Sequence, residues 1–316
     1  MEKKKKVLLL GGIIIDRYYE VESYPKPGQA AVILNSFDKV GGCAINVAVT
    51  LQNLGAIPYV VSKLGDDENG RLIMSYVQSL ALPTECITIE TNRKTGYCLT
   101  IIDKMGERTF FSFKGCENEF PSVVLPDELY KNITFSYVTG YYLLERGTAS
   151  NALKLIKKLK DAGCRILFDP GPLVAHMSIS QLSTMLALSD LIIPNRYELE
   201  LIKDKLALPC DLHKWLHKGG CQYIVVKKGI EGVEVHTSEQ SMKMRALQMK
   251  CVDTTGAGDS FAGGLIYALA YDFELRKAIE LASGCGAYTT TVKGPHGAFS
   301  IDDIYKMIKT QKEDLR

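Results

Sequence analysis

Long apolar segments and an excess of charge of one sign are both missing from this 316-residue sequence. No segment reaches the roughly 18 consecutive apolar residues that a membrane-spanning helix needs. Lysine and arginine number 38 against 36 aspartate and glutamate residues, so the formal charge is only +2 and no strong field would attract nucleic acid or a membrane surface. We therefore expect a protein that acts on a small molecule, without nucleic-acid or membrane partners.

Cysteine pairs with metal-binding spacing are also absent. The nine cysteines include no C-x-x-C pair, and their odd number is typical of reduced thiols in a cytosolic enzyme. The lysine-rich start precedes an apolar run but no small-residue cleavage site, so it does not indicate a secretory signal. His213 and His217 lie four residues apart, yet nothing nearby supplies a third ligand. These features predict a cytoplasmic protein without disulfides or zinc.

Short apolar runs rich in β-branched residues alternate with helical stretches along the chain. Such runs are typical of buried parallel strands, which are most economically joined by crossover helices. The predicted strands are residues 7–15, 59–64, 137–139, 166–169, 191–194 and 223–227. The predicted helices are residues 45–54, 71–80, 149–162 and 212–217. The alternation predicts one α/β domain over residues 1–316, with a doubly wound, mostly parallel sheet flanked by helices.

Two segments interrupt this alternation, and both have the pattern of antiparallel strands. One contains the turn P-K-P-G at 25–28 and the other a hairpin turn, K-M-G-E, at 104–107. Because each lies between strands of the main sheet, we expect segments 17–40 and 93–115 to form a small antiparallel lid. A sheet of this size cannot bury both faces alone, so we expect a homodimer joined through the lid.

The run D-T-T-G-A-G-D at 253–259 leads into an apolar-periodic segment. Small residues let the backbone approach a ligand, and a loop that opens into a helix directs free N–H groups and the positive end of the dipole at an anion. Asp259 would repel such an anion unless it faces an acceptor hydroxyl. Alternatively, Gly256 and Gly258 form a tight turn and Asp259 caps the helix. The run fits neither G-x-G-x-x-G nor a Walker loop, which disfavours those nucleotide-binding folds.

A second glycine-rich helix start is the run G-G-C-A-I-N-V-A at 41–48. Paired glycines permit close backbone approach, and the side chain of Asn46 has both a donor and an acceptor for a sugar hydroxyl. An ordinary turn from strand to helix is the alternative interpretation. Two such starts in one chain favour a ligand site.

Two further motifs follow predicted strands. Asn195 and Glu198 lie three residues apart at the carboxyl end of a strand, where open α/β sheets bind ligands, and such a pair can orient water and Mg²⁺. The same spacing fits a capping box that only starts a helix. Lys227 precedes a turn containing Gly229 and Gly232, and it can reach a phosphate or remain solvated at a hairpin.

In this order, the motifs resemble those of the ribokinase-like, or phosphofructokinase-B-type, carbohydrate kinase family. Its first signature is similar to residues 41–55, its second to residues 253–264, and its N-x-x-E motif to Asn195 and Glu198; the G-I-I-I-D at 12–16 also fits. The resemblance covers the chain from residue 7 to the end. It implies an ATP-dependent kinase that transfers the γ-phosphoryl group to a hydroxyl of a small sugar.

The resemblance also implies roles for individual residues. Asp259 would be the catalytic base. The anion hole for the transferring phosphoryl group would be formed by Gly256, Ala257 and Gly258. The acceptor would be held by Asp16, Gly42 and Asn46. Phosphates and nucleotide would be contacted by Asn195, Glu198, Lys227, Gly229 and Gly232. Glu198 would bind Mg²⁺ through water, and a monovalent cation such as K⁺ would lie beside Asp253 and Thr255.

One departure from the family pattern bears on the acceptor. Where ribokinases carry a lysine in the first signature, this chain has Cys43, which cannot donate the same strong hydrogen bond to a sugar hydroxyl. Tyr97, Phe111 and Phe113 of the lid would add aromatic surface if they turn inward. We therefore expect a ketose or a sugar acid rather than ribose. The alternatives are a nucleoside or pseudouridine kinase on the same scaffold and a non-catalytic sugar or nucleotide sensor.

Overall fold

The computed structural model of the chain describes residues 3–121, 125–208, 215 and 221–314. Within them, the larger sheet consists of β1 Lys6–Leu10, β4 Ile57–Gly65, β5 Ile87–Glu90, β8 Ile133–Thr139, β9 Arg165–Asp169, β10 Leu191–Ile192, β11 Tyr223–Lys227, β12 Val233–His236 and β13 Ser241–Met244. The spatial order is β13-β12-β11-β10-β9-β8-β1-β4-β5, and the strands from β11 to β5 are all parallel. The antiparallel pairings of this sheet are those of β11 with β12 and of β12 with β13. The predicted mostly parallel sheet is confirmed.

Helices pack on both faces of this sheet. They are α1 Cys43–Leu54, α2 Glu68–Ser79, α3 Asp127–Asn132, α4 Arg146–Asp161, α5 Ile179–Leu188, α6 Arg196–Leu206, α7 Ala257–Ala270, α8 Leu275–Thr289 and α9 Ile301–Asp314. Along β1, Val7 and Leu9 belong to the buried core that includes residues of α1, α7 and α8. Leu8 and Leu10 belong to the core on the opposite face, with residues of α4, α5 and α6. Burial on both faces explains why β1 is continuously apolar rather than alternating.

A smaller sheet, the lid sheet, consists of β2 Ile14–Val21, β3 Ile33–Gly41, β6 Tyr97–Ile102 and β7 Arg108–Phe113, in the order β3-β2-β6-β7. The outer pairings are antiparallel, and the central pairing of β2 with β6 is parallel. The predicted hairpin between β6 and β7 is confirmed, since Gly106 has a φ of +83° and its N–H donates to the Asp103 carbonyl over 2.9 Å. The small lid predicted from the sequence is present.

The prediction of one strand over residues 7–15 is wrong. Strand β1 ends at Leu10, and the chain passes through Gly11 and Gly12 into the lid sheet at Ile14. A Cβ atom at Gly12 would lie 2.8 Å from Cγ of Glu117, so the crossing needs residues without side chains. The lid therefore begins three residues before the predicted segment, and Asp16 belongs to it.

The predicted helix at 212–217 lies outside the described residues except for Trp215, as do His213 and His217. The predicted strand at 137–139 is the carboxyl end of the longer β8, Ile133–Thr139. In the part of the chain that the structure describes, no helix has both the length and the apolar character required to cross a bilayer.

Candidate functional site

Two cavities meet at the start of α7. The first, here the lid cavity, has a volume of about 550 Å³ and is lined by side chains that include Asp16, Asn46 and Asp259. The second, here the strand cavity, has a volume of about 400 Å³ and is lined by residues that include Lys227 and Gly258. The lid cavity lies at the carboxyl ends of β1 and β8, the two neighbouring strands between which the strand order reverses. Open α/β sheets bind ligands at such a position.

The start of α7 forms the boundary between the cavities. Gly256 is its N-cap, in the left-handed conformation with a φ of +74°. A Cβ atom there would lie 1.8 Å from the carbonyl oxygen of Pro295, so the position requires glycine. No side chain among the described residues caps this helix, which leaves first-turn N–H groups such as that of Gly258 available to an anion.

The Asp259 carboxyl does not cap the helix, so that alternative is wrong. Its Oδ2 instead accepts a hydrogen bond from Nδ2 of Asn46 over 2.8 Å, and the Cys43 thiol also bonds to the carboxyl. Burial raises the pKa of Asp259 to about 7, and the negative charge of Asp169 contributes, although the bond from Asn46 lowers it. A carboxyl with this pKa can exchange a proton at neutral pH, as a general base must.

Asp16 lies on β2 in the same cavity. Burial, together with the charges of Asp259 and Asp253, raises its pKa to about 7. The paired glycines of the first signature make room for it: a Cβ atom at Gly41 would lie 1.9 Å from Oδ2 of Asp16. Gly42 has a φ of +100° and precedes α1, so the run is a turn from strand to helix and also part of the cavity wall.

Lys227, at the end of β11, contacts a carboxylate that the sequence analysis missed. Its Nζ donates to both carboxylate oxygens of Asp169, over 3.1 and 3.0 Å. Burial opposes the charge of Lys227, but Asp169 and Glu198 hold its pKa above the ordinary value. A Cβ atom at Gly258 would lie 3.6 Å from this Nζ, so the ammonium group is close to the anion-binding turn. The alternative of a solvated lysine is wrong.

Asn195 and Glu198 form the capping box of α6. Oδ1 of Asn195 accepts from the Glu198 N–H, and Oε2 of Glu198 accepts from the Asn195 N–H, each over 2.8 Å. The structural alternative is therefore observed, and neither side chain lines the two cavities as described. Burial raises the pKa of Glu198, while the nearby charge of Lys227 lowers it, so the carboxyl is electrostatically linked to Lys227.

The turn after β11 forms one wall of the strand cavity. Gly229 and Gly232 both line it, with φ angles of +58° and +96°. At Gly232 a Cβ atom would lie 2.0 Å from the carbonyl oxygen of Met244, so this position also requires glycine. The predicted glycines of the nucleotide site are therefore on one wall with Lys227.

A lid residue contacts Asp253 and Thr255, where a monovalent cation was expected. Nη1 of Arg108 lies 3.0 Å from Oδ1 of Asp253 and donates to Oγ1 of Thr255 over 3.2 Å. Asp253 also accepts from the N–H groups of Thr255 and Gly294, over 2.9 and 3.0 Å. The positive charge beside Asp253 and Thr255 is therefore the guanidinium group of Arg108, which lies on β7.

The lid contributes different aromatic residues from those expected. Phe110 lines the lid cavity, whereas Phe111 and Phe113 are not among its lining residues and Tyr97 stacks on Phe113. Side chains alternate across a strand, so a shift of one residue exchanges the inward and outward faces. The expectation that Phe111 and Phe113 face the acceptor is wrong.

Comparison with known proteins agrees with this geometry. The chain matches the pfkB family carbohydrate kinases over residues 4–301. It is 26% identical to the probable fructokinase-2 of Arabidopsis thaliana, covering 99% of this chain and 98% of that protein. It is also 26% identical to the ATP-dependent ribose-1-phosphate kinase of Halopiger xanaduensis, covering 95% and 96%.

A solved structure shows the same fold. The nucleoside kinase of Methanocaldococcus jannaschii, an archaeal member of the ribokinase family, superposes with a TM-score of 0.83 at 21% identity, covering 98% of this chain and 99% of that one. Because the family match spans nearly the whole chain, this protein belongs to the pfkB family of carbohydrate kinases and is an ATP-dependent sugar or nucleoside kinase with the ribokinase fold.

Proposed function

We propose that this kinase phosphorylates a hydroxyl of a small sugar bound in the lid cavity, with ATP in the strand cavity and Asp259 as the base. The position of Asp259 carries the proposal. It lies in the first turn of α7, where the two cavities meet, and its pKa is raised to about 7 by burial. A hydroxyl in the lid cavity would therefore have a proton acceptor on one side and the phosphoryl group on the other.

The chain's own groups would stabilise the transferring phosphoryl group. The N–H groups at Gly256, Ala257 and Gly258 and the positive end of α7 would bind its oxygens. Lys227, held by Asp169, would add a fixed positive charge on the ATP side. Because the transition state of phosphoryl transfer is loose, positioning and charge of this kind supply most of the catalysis.

Magnesium would be held at the ATP phosphates. The carboxylates of Glu198 and Asp169 both act on Lys227, which lines the strand cavity, and Mg²⁺ prefers oxygen ligands and retained waters. Glu198 would bind the ion through water, with its other oxygen committed to the capping box. When bound, the ion neutralises phosphate charge.

A monovalent cation beside Asp253 and Thr255 would have to share the place with Arg108, whose guanidinium contacts both residues. We infer that this guanidinium supplies the charge and that K⁺ is not required for turnover.

The acceptor is proposed to be a ketose, with a sugar acid next. Asp16, Glu117 and Asp259 give the lid cavity three carboxyl groups, which suit the hydroxyls of a neutral polyol. One ammonium group among the described lining residues, that of Lys114, could meet the carboxylate of a sugar acid; it lies over the Tyr141 ring, 4.3 Å from its centre. Cys43 offers no strong donor to ribose.

A kinase assay over a panel of acceptors tests the proposal. The panel contains fructose, other ketoses, 2-keto-3-deoxygluconate, ribose, adenosine and pseudouridine. We expect fructose or another ketose to give the highest kcat/KM, and ribose to lie at least about tenfold lower, roughly 1.4 kcal/mol of transition-state binding. Highest activity with ribose would refute the argument from Cys43. Highest activity with a nucleoside would support the alternative, and no phosphorylation of any acceptor would favour the sensor.

The lid sheet is proposed to join two copies of the chain. Its inner face lines the lid cavity, while Ile33, Leu34, Phe111 and Phe113 expose 43 to 66% of their surface elsewhere on the sheet. Exposed apolar surface of this kind on a small sheet is typical of an interface. The cytoplasmic location suggested by the cysteines stays a prediction.

A further inference from the structure

A chain of hydrogen bonds leads from the catalytic carboxyl to a tyrosine on another helix. Nδ2 of Asn46 donates to Oδ2 of Asp259 over 2.8 Å. Oδ1 of Asn46 lies 3.0 Å from Nδ1 of His296, and Nε2 of His296 is hydrogen-bonded to the hydroxyl of Tyr76. The four side chains come from α7, α1, the segment after α8, and α2, so the chain ties together elements that are distant in sequence.

The direction of every bond in this chain follows from its first member. An ionised Asp259 only accepts, so the NH₂ group of Asn46 must face it. The amide oxygen of Asn46 then needs a donor, which makes His296 the Nδ1–H tautomer. The bare Nε2 accepts from the Tyr76 hydroxyl. Burial, with the charge of Lys39 second, lowers the pKa of His296 to about 4, so the ring is neutral under ordinary conditions, as this arrangement requires.

The opposite orientation of Asn46 would disable the base. With the amide turned over, Oδ1 would face the carboxyl of Asp259, and that contact is a hydrogen bond only when the carboxyl is protonated. The observed orientation therefore favours the ionised form of Asp259 and fixes its carboxyl through Oδ2. It also commits most of the Asn46 amide to the protein, so this side chain does more to hold the base than to hold the acceptor.

We propose that His296 is a positioning residue for phosphoryl transfer, which acts by fixing the orientation of the Asn46 amide and, through it, the carboxyl of Asp259. The inference rests on the proposed role of Asp259 as the base. His296 is not among the residues that line either cavity, and it is hydrogen-bonded to Asn46, which does line the lid cavity; this bond is the route by which it would act on Asp259.

The test compares two replacements that each keep one half of the imidazole. His296→Asn can place an amide N–H where Nδ1 lies and so keep the donor to Asn46. His296→Gln places its amide near Nε2, so it can keep a partner for Tyr76 but lose the donor at Nδ1. His296→Leu keeps neither. We expect kcat to fall at least about tenfold in the Leu and Gln variants and to recover to within about threefold of wild type in the Asn variant, with KM for ATP little changed.

The pH profile separates positioning from general structural damage. The bond from Asn46 lowers the pKa of Asp259, so a freed amide should let that pKa rise and move the acid limb of the kcat profile to higher pH. The other groups that act on Asp259 are Asp169, Lys227, Asp16 and the Cys43 thiol, and none of them is changed in these variants. Tyr76→Phe should shift the acid limb in the same direction by less. The matched control is Tyr288→Phe, which removes a hydroxyl bonded to the Ala298 carbonyl in the same segment, and it should leave the limb in place.

Equal kcat values for the Asn and Gln variants, or an acid limb that stays fixed in both the Gln and Leu variants, would overturn the proposal. Asp259→Asn is measured in parallel. If it is inactive while all His296 variants behave as wild type, only the positioning role fails; if it is active, the proposed base fails. Should His296→Leu not fold, the comparison of His296→Asn with His296→Gln still decides.

Discussion

Replacing Asp259 by asparagine should lower activity and raise stability together. The pKa of this carboxyl rises from 3.8 to about 7, mainly because burial penalises its charge. At about 1.36 kcal/mol for each pH unit, that difference corresponds to about 4 kcal/mol that the folded protein spends to ionise Asp259. An amide of the same shape avoids this cost and can still accept the hydrogen bond from Asn46 through its oxygen.

The sign of the effect fixes its pH window. Because the folded pKa is raised, the folded protein keeps a proton at Asp259 between about pH 4 and pH 7 that the unfolded chain has released. The free energy of unfolding of the wild type therefore falls as the pH rises through this window. Asp259→Asn should be close to the wild type in stability near pH 4 and more stable by up to about 4 kcal/mol at pH 8. Asp16, whose pKa is raised partly by Asp259, adds to the gain in the same direction.

The assay is urea unfolding of both proteins at pH 5 and pH 8, together with turnover at pH 8. We expect kcat to fall at least about 10²-fold in the variant, since the proton acceptor is lost. Asp16→Asn, measured alongside, shows how much of the stability gain belongs to the second carboxyl. A variant no more stable than wild type at pH 8 would refute the argument from burial, and turnover within about tenfold of wild type would refute the assignment of the base.

Glu198→Gln should raise the Mg²⁺ concentration for half-maximal rate by about threefold or more, because it removes a charge near the ion while a glutamine can still complete the capping box. Glu200→Gln on the same helix is the control, and an unchanged Mg²⁺ titration of Glu198→Gln would count against the role of Glu198 in binding the ion. Exchanging K⁺ for tetramethylammonium should change the wild-type rate less than about twofold, and Arg108→Gln should lower the rate and make it rise with K⁺. Arg17→Gln, which removes a lid guanidinium bound to Asp38, is the control and should not make the rate depend on K⁺. Strong activation of the wild type by K⁺ would contradict the role of Arg108. Light scattering at micromolar concentration should give the mass of a dimer for the wild type and the mass of a monomer for Phe111→Lys. A Phe111→Lys variant with the same mass as the wild type would reject the lid interface.

The local motifs were predictable because their chemistry depends on neighbouring residues. The glycine turn before Asp259 could be predicted from its own composition to open into a helix, and the structure places it at the start of α7. Asn195 and Glu198 show the limit of such local patterns. Their spacing fits both a ligand site and a capping box, and the observed capping box uses Oε2 of Glu198.

The residues that were missed reach the site from distant parts of the chain. Asp169 lies two strands away from Lys227, and its signal, a carboxylate at the end of a predicted strand, was present in D-P-G-P at 169–172. Arg108 and His296 reach the site through a hairpin and a loop whose paths depend on tertiary packing. The inward face of β7 was also beyond prediction, because composition alone does not set the register that turns Phe110 rather than Phe111 toward the cavity.

The parallel pairing of β2 with β6 has a consequence for how the molecule folds. Between these two strands the chain forms β3, α1, β4, α2 and β5, so the centre of the lid sheet closes a long loop through one edge of the main sheet. Contacts that close long loops come at an entropic cost that earlier structure must offset. A nascent chain that ends before β6 therefore lacks the centre of the lid sheet and has no enclosed place for an acceptor.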